Sequence, residues 1–211
     1  MLYLHLSALS ICFAVALYYR KALNGDLKPI FWLLILSVIT EAIGAYYLLM
    51  GERVVNNKIF HIYQPLEYIA LALFFINVVE NHKFKQIIRI SIPIVTLAHI
   101  LNSVYFQNLN QPPSNGFLLT SFFVCIWSML FYYSILTIET EKKIWRNSNF
   151  IMGTGILFFY AGAFFVMGLI QIVSQYDIAL GKRLFNINHV LNILMYSLFT
   201  YGIICKAKYP Q

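Results

Sequence analysis

The runs HIYQPLEY (residues 61–68) and INHVLN (residues 187–192) carry most of the side chains in this chain that could do chemistry. If the first run is helical, Tyr63, Gln64 and Glu67 fall within one arc of about 100°, and Asn188, His189 and Asn192 do the same in the second. His61 and Asn186 point elsewhere on the same wheels. A phenol, a carboxyl, an imidazole and several amides gathered in this way can bind a small polar molecule or a cation. They can equally hydrogen-bond two helices to one another, as lone amides inside membranes often do. Glu41 and His99 are further ionisable candidates, joined by His5, Asn102 and Gln171.

The elements that must position these groups are membrane helices. Of 211 residues, 60% are hydrophobic and 11% charged, against about 25% charged in a soluble domain. An apolar run of roughly 18 or more residues is long enough to cross a hydrocarbon core about 30 Å thick. The sequence predicts seven such spans, at about 2–22, 29–50, 59–80, 87–106, 116–138, 150–175 and 183–205. Turns are expected at Gly25, over Gln111–Gly116 and at Gly181. The connections are short, which leaves one all-α membrane domain over residues 1–211 with no soluble domain or linker. In the first span Arg20 and Lys21 follow the apolar run, the reverse of a signal peptide's charge order. Cys12, Cys125 and Cys205 show neither metal-site nor disulfide spacing and read as packing residues. Trp32, Trp127, Trp145 and several tyrosines read as lipid contacts and interfacial belt.

Basic residues orient the spans. Arg20, Lys21, Lys28, Lys83, Lys85, Arg89, Lys142, Lys143, Arg146, Lys206 and Lys208, eleven in all, flank the spans on one side. Only Arg53, Lys58, Lys182 and Arg183 lie on the other. The positive-inside rule then predicts an amino terminus outside and a carboxyl terminus inside. The net charge of +7 is thereby a topology signal, and it implies no nucleic-acid partner. In this orientation the polar runs of the third and seventh spans occupy their outer halves, while ALALFFINVV and YSLFTYGIIC fill the inner halves without a charge. Glu41 falls near mid-depth, and His99 in the outer half of the fourth span, placing both at the floor or wall of an outward-facing pocket. A charged group at bilayer depth costs on the order of 2.5–3.5 kcal/mol on insertion scales. Glu41 and Glu67 must therefore be protonated, hydrated or paired. One bland pairing is a structural hydrogen bond between Glu67 and His189.

Residues 58–75, KIFHIYQPLEYIALALFF, align without gaps on 183–200, RLFNINHVLNILMYSLFT. Phe60/Phe185, Ile62/Ile187, Leu66/Leu191, Leu73/Leu198 and Phe74/Phe199 are identical pairs. Gly44-Ala45-Tyr46 resembles Gly162-Ala163-Phe164, and Leu17-Tyr18-Tyr19 resembles Phe131-Tyr132-Tyr133. The expectation is a parallel 3+1+3 repeat, about 2–80 and 116–205, with 87–106 as connector and a pseudo-two-fold axis along the membrane normal. This arrangement is similar to that of the small sugar-transporter and PQ-loop families. Their Pro-Gln signature is missing from the first and fifth spans, and Gln64-Pro65 has the reverse order.

The stretches IFHIYQPLEYIALALFF and NHVLNILMYSLFTYGIIC resemble small seven-helix bacterial membrane proteins of unassigned role. Those proteins are similar to membrane input modules attached to, or encoded beside, sensor histidine kinases. The resemblance implies a multi-pass protein of the bacterial inner membrane, with sensing as its task. No kinase domain follows Lys208, so the output would pass through a separate signalling partner. Two other resemblances fail at their key residues. Ceramidase-like and progestin-receptor-like hydrolases show paired histidines on the last helix, where this chain has only His189, and a retinal protein needs a lysine in the middle of the seventh span.

Three functions stay open. Apolar inner halves favour a receptor-like sensor of a small polar ligand, a cation or pH. The repeat favours a small-solute transporter. An intramembrane metal-dependent hydrolase could draw on His61, His99, His189, Glu41 and Glu67, although no pair has HxxxH or HExxH spacing. The sequence calls for no cofactor.

Overall fold

A computed structural model describes residues 1–136, 146–173 and 176–209. Seven α-helices account for nearly all of them: α1 (Leu2–Tyr18), α2 (Lys28–Leu49), α3 (Arg53–Val78), α4 (His82–Leu101), α5 (Ser114–Leu136), α6 (Ser148–Val173) and α7 (Ile178–Lys208). There is no strand among the described residues. Helices α2 to α7 are each long and apolar enough to cross a membrane, and the chain is a multi-pass integral membrane protein. With 17 residues, α1 is about 25 Å long, shorter than the other six.

The helix ends follow local chemistry. Pro29 opens α2, where its missing N–H costs nothing. The Asn81 side chain accepts from the Lys83 and Phe84 amides to start α4. Asp177 does the same for α7 through the Ala179 and Leu180 amides. This cap starts α7 five residues before the expected 183, so Gly181 lies inside a helix and not in a turn. Gly25 and Gly51 do turn the chain, with φ of +89° and +81°, a region that side chains disfavour. The first span stops at Tyr18, short of the expected 22, because the chain enters a turn ahead of Gly25. Pro65 is accommodated inside an unbroken α3.

Six helices form a closed ring in the order α1, α2, α3, α5, α6, α7, and α4 packs outside it against α3 and α5. Exposed Ile87, Ile90, Ile94, Leu97 and Leu101 form a ridge along α4. In a bilayer such a ridge meets lipid and carries no penalty. Buried Leu71, Phe74 and Phe75 of α3, Phe199 and Ile203 of α7, Met152 of α6 and Cys12 and Ala16 of α1 fill one half of the bundle.

At that end Asp26, in the α1–α2 connection, clasps three helices. Its carboxylate accepts from Asn149 Nδ2 of α6 at 2.8 Å and pairs with Lys206 Nζ of α7 at 3.2 Å. Its carbonyl accepts from Asn77 of α3 at 3.3 Å. Arg20, Lys21, Lys83 and Lys85 border the same end, while Lys142, Lys143 and Trp145 lie outside the described residues.

Candidate functional site

Helix periodicity builds the site at the opposite end. On α3, Asn56, Phe60, Tyr63, Gln64 and Glu67 recur at three- and four-residue intervals and so share a face. On α7, Phe185, Asn188, His189, Asn192 and Tyr196 share one in the same way. Both faces line a single cavity of about 950 Å³. Helix α2 adds Ser37, Thr40 and Glu41, α6 adds Phe159 and Tyr160, and α1 adds His5. Gln107, Gln111, Pro112 and Pro113, between α4 and α5, close over part of it. The deepest lining residues on α3 and α7 are Glu67 and Tyr196, directly above the apolar half of the bundle.

Each expected site residue has a definite place. Tyr63 donates to Glu67 Oε1 at 3.1 Å and, with its proton so committed, accepts from Ser37 Oγ at 2.8 Å. Tyr160 reaches the same carboxyl from α6. Glu41 lies within electrostatic reach of Glu67 and Tyr196. Gln64 donates to the Pro113 carbonyl at 2.8 Å, so one end of its amide is a structural anchor for the connection above. Asn192 donates to the Asn188 carbonyl one turn earlier, at 3.0 Å. The interhelical bond between Glu67 and His189 does not form: Glu67 is taken by tyrosines, and His189 Nδ1 has no partner.

His99 is the exception. It is buried outside the cavity lining, with Nε2 3.0 Å from Thr120 Oγ1 of α5. Position 99 belongs to the α4 face formed by Ile88, Ser91 and Val95, which packs inward on α3 and α5. His61 likewise turns from the cavity, to Ser103 and the Gln111 carbonyl. Trp127 is not a lipid contact: it is 3% exposed and donates to the Tyr68 hydroxyl, which in turn meets Ser91 Oγ at 2.6 Å. Helix α3 thus carries two polar faces, one toward the cavity and one toward α4 and α5.

Several wall groups are left without a hydrogen bond. His5 is 4% exposed and both its ring nitrogens lack partners, as do Asn188 Oδ1, His189 Nδ1 and Asn56 Oδ1. The His5 ring stacks on Tyr196 at 5.9 Å and lies 5.4 Å from the His189 ring. Buried polar atoms are normally satisfied, so these walls hold hydrogen-bonding capacity that the described residues leave unused. The chain matches no described protein family, and no curated protein or solved structure shows significant similarity to it. Among the described residues, no three His, Cys, Asp or Glu side chains come together in a way that could hold a metal ion.

The sequence pattern missed Ser37, Thr40, Asn56, Tyr160 and Tyr196 as cavity residues. Hydroxyls and phenols are common on lipid-facing helix surfaces as well. The available signal was periodicity: Ser37, Thr40, Glu41 and Gly44 lie at three- and four-residue steps on α2.

Proposed function

We propose that this protein is a receptor-like membrane sensor that takes a small ligand into the α1–α2–α3–α6–α7 cavity. One observation carries the reading: the cavity ends at Glu67 and Tyr196, and buried apolar side chains occupy the bundle beyond them. A ligand held there has a site with unsatisfied polar atoms above a closed floor, which is what a receptor needs. Two helix arrangements with different affinity for the ligand would let it bias an output. The basic end faces the cytoplasm on the positive-inside rule, so the cavity faces outward. In this reading a signalling protein that contacts the bundle receives the output.

A small-solute transporter is the second reading, and a specific observation favours it. The aligned pairs Phe60/Phe185, Tyr63/Asn188, Gln64/His189 and Glu67/Asn192 line one cavity from two helices, as expected of a binding site between parallel repeats. Binding and flux separate the two. Purified protein is screened against small polar solutes by thermal unfolding, since a ligand of the folded state raises stability by RT ln(1 + [L]/Kd). Each hit is then offered to proteoliposomes. The receptor reading expects stabilisation without accumulation. Protein-dependent entry of the solute into the vesicles overturns it in favour of transport.

A further inference from the structure

The cavity has a charge imbalance that identifies its ligand more closely. Two carboxyls, Glu41 and Glu67, share it, and no Lys or Arg among the described residues belongs to its lining. Glu67 is held by Tyr63, but Glu41 has no hydrogen bond or ion pair among the described residues and faces the cavity from α2. Aromatic rings surround the pair: Tyr63, Tyr160 and Tyr196 beside the carboxyls, Phe60 and Phe185 toward the opening. Carboxyls are suited to an ammonium group, which gains from the opposite charge and from charge-assisted hydrogen bonds. The remaining walls are largely apolar and suit a carbon body. The volume of about 950 Å³ lies at the upper end of the range for drug-sized ligands.

A second, independent observation places the other end of the ligand. His5 and His189 carry unpartnered ring nitrogens, and the His5 ring bridges from the His189 ring at 5.4 Å to the Tyr196 ring at 5.9 Å. His189 and Tyr196 are seven residues apart on α7, about 10 Å along the axis. The cavity therefore offers two carboxyls at its floor and a hydrogen-bonding wall that rises from Tyr196 through His5 to His189.

Building on the receptor reading, we propose that the ligand is an organic ammonium ion with an apolar body, its nitrogen at Glu41 and Glu67 and a hydrogen-bonding group toward His5 and His189. The geometry disfavours anions, which would meet two carboxyls and, among the described residues, no Lys or Arg.

The test uses the full chain in lipid nanodiscs at neutral pH. Tyramine is the principal probe, because it joins an ammonium to a ring bearing a hydroxyl. 2-Phenylethylamine and hexylamine extend the series, and 4-ethylphenol is the neutral control. Calorimetry should detect tyramine binding, with 4-ethylphenol weaker by roughly 30-fold or more, the loss typical of an unpaired buried charge. Glu41→Gln should weaken tyramine by a similar factor and leave 4-ethylphenol unchanged. The variant's melting temperature confirms that it is folded. Equal affinity for tyramine and 4-ethylphenol overturns the proposal. So does amine binding indifferent to Glu41→Gln, or a response to sodium, potassium, magnesium or pH with no amine bound. The parent reading fails differently. Tyramine accumulating in proteoliposomes defeats the receptor and leaves the ligand class intact, whereas a neutral or anionic solute that binds without crossing defeats the ligand class and leaves the receptor intact.

Discussion

Asp26→Asn removes one negative charge from the clasp at the basic end while keeping its shape. The side chains of Lys206 and Asp26 are 13% and 26% exposed, so the pair is neither fully solvated nor fully buried. Exposed pairs are worth about 0.2–1 kcal/mol, and hydrogen bonds to a charged group about 1.5–3 kcal/mol against about 1 kcal/mol for neutral ones. Losing the ion pair and downgrading the Asn149 bond therefore costs roughly 1–3 kcal/mol. At about 2–4 °C per kcal/mol for a chain of this size, the melting temperature should fall by roughly 2–12 °C at pH 7.

The pH dependence gives the sharper check. Burial, the largest single influence on Asp26, raises its pKa, but the Asn149 hydrogen bond and the Lys206 ammonium together outweigh it and hold the group below the ordinary aspartate value. A depressed folded-state pKa means the stabilisation is fully present above the unfolded value, about 3.9, and is lost as pH falls through the folded one. Wild type and variant should thus differ by a constant amount from about pH 7 to pH 5 and converge below about pH 4. Thermal unfolding in nanodiscs across this range, with Lys206→Met in both backgrounds, measures the coupling. A gap that persists unchanged at pH 3, or a Lys206→Met cost identical in both backgrounds, would refute the clasp.

Two further perturbations probe helix packing and capping. Gly116→Ala places a methyl against the Gln64 amide and 2.9 Å from His99 Nδ1; with both side chains buried and hydrogen-bonded, the cost should be about 1–3 kcal/mol, and an unchanged melting temperature would contradict the contact. Asn81→Ala should cost about 1 kcal/mol by uncapping α4, with Asn81→Ser recovering most of it in the same unfolding assay.

Much of the cavity was legible in the sequence because helical periodicity is strict. Tyr63, Gln64 and Glu67 were expected on one α3 face, Asn188, His189 and Asn192 on one α7 face, and all six line the cavity with Glu41. His99 was misplaced because depth along a helix says nothing of the direction a side chain takes around it, and the inward face of α4 meets α3 and α5. Trp127 was read as an interfacial residue from its type, yet the Tyr68 hydroxyl gave its indole N–H a buried partner. Gly181 reads as a turn in the sequence because the Asp177 cap lies in a short polar stretch that looks like loop. Local composition could not show that the cap would extend the helix through a glycine.

The five residues Asn102–Phe106 continue α4 as a π-helical turn. A π-turn holds one residue more than an α-turn, which gives the length of this segment a consequence of its own. With one residue fewer, α4 could run on as a regular helix, but everything after it would be reindexed by about 100° around the axis. Gln111 and Pro113, whose carbonyls receive His61 and Gln64, would then be aimed away from α3. A single-codon deletion here would thus remove little from the helix and misdirect the roof.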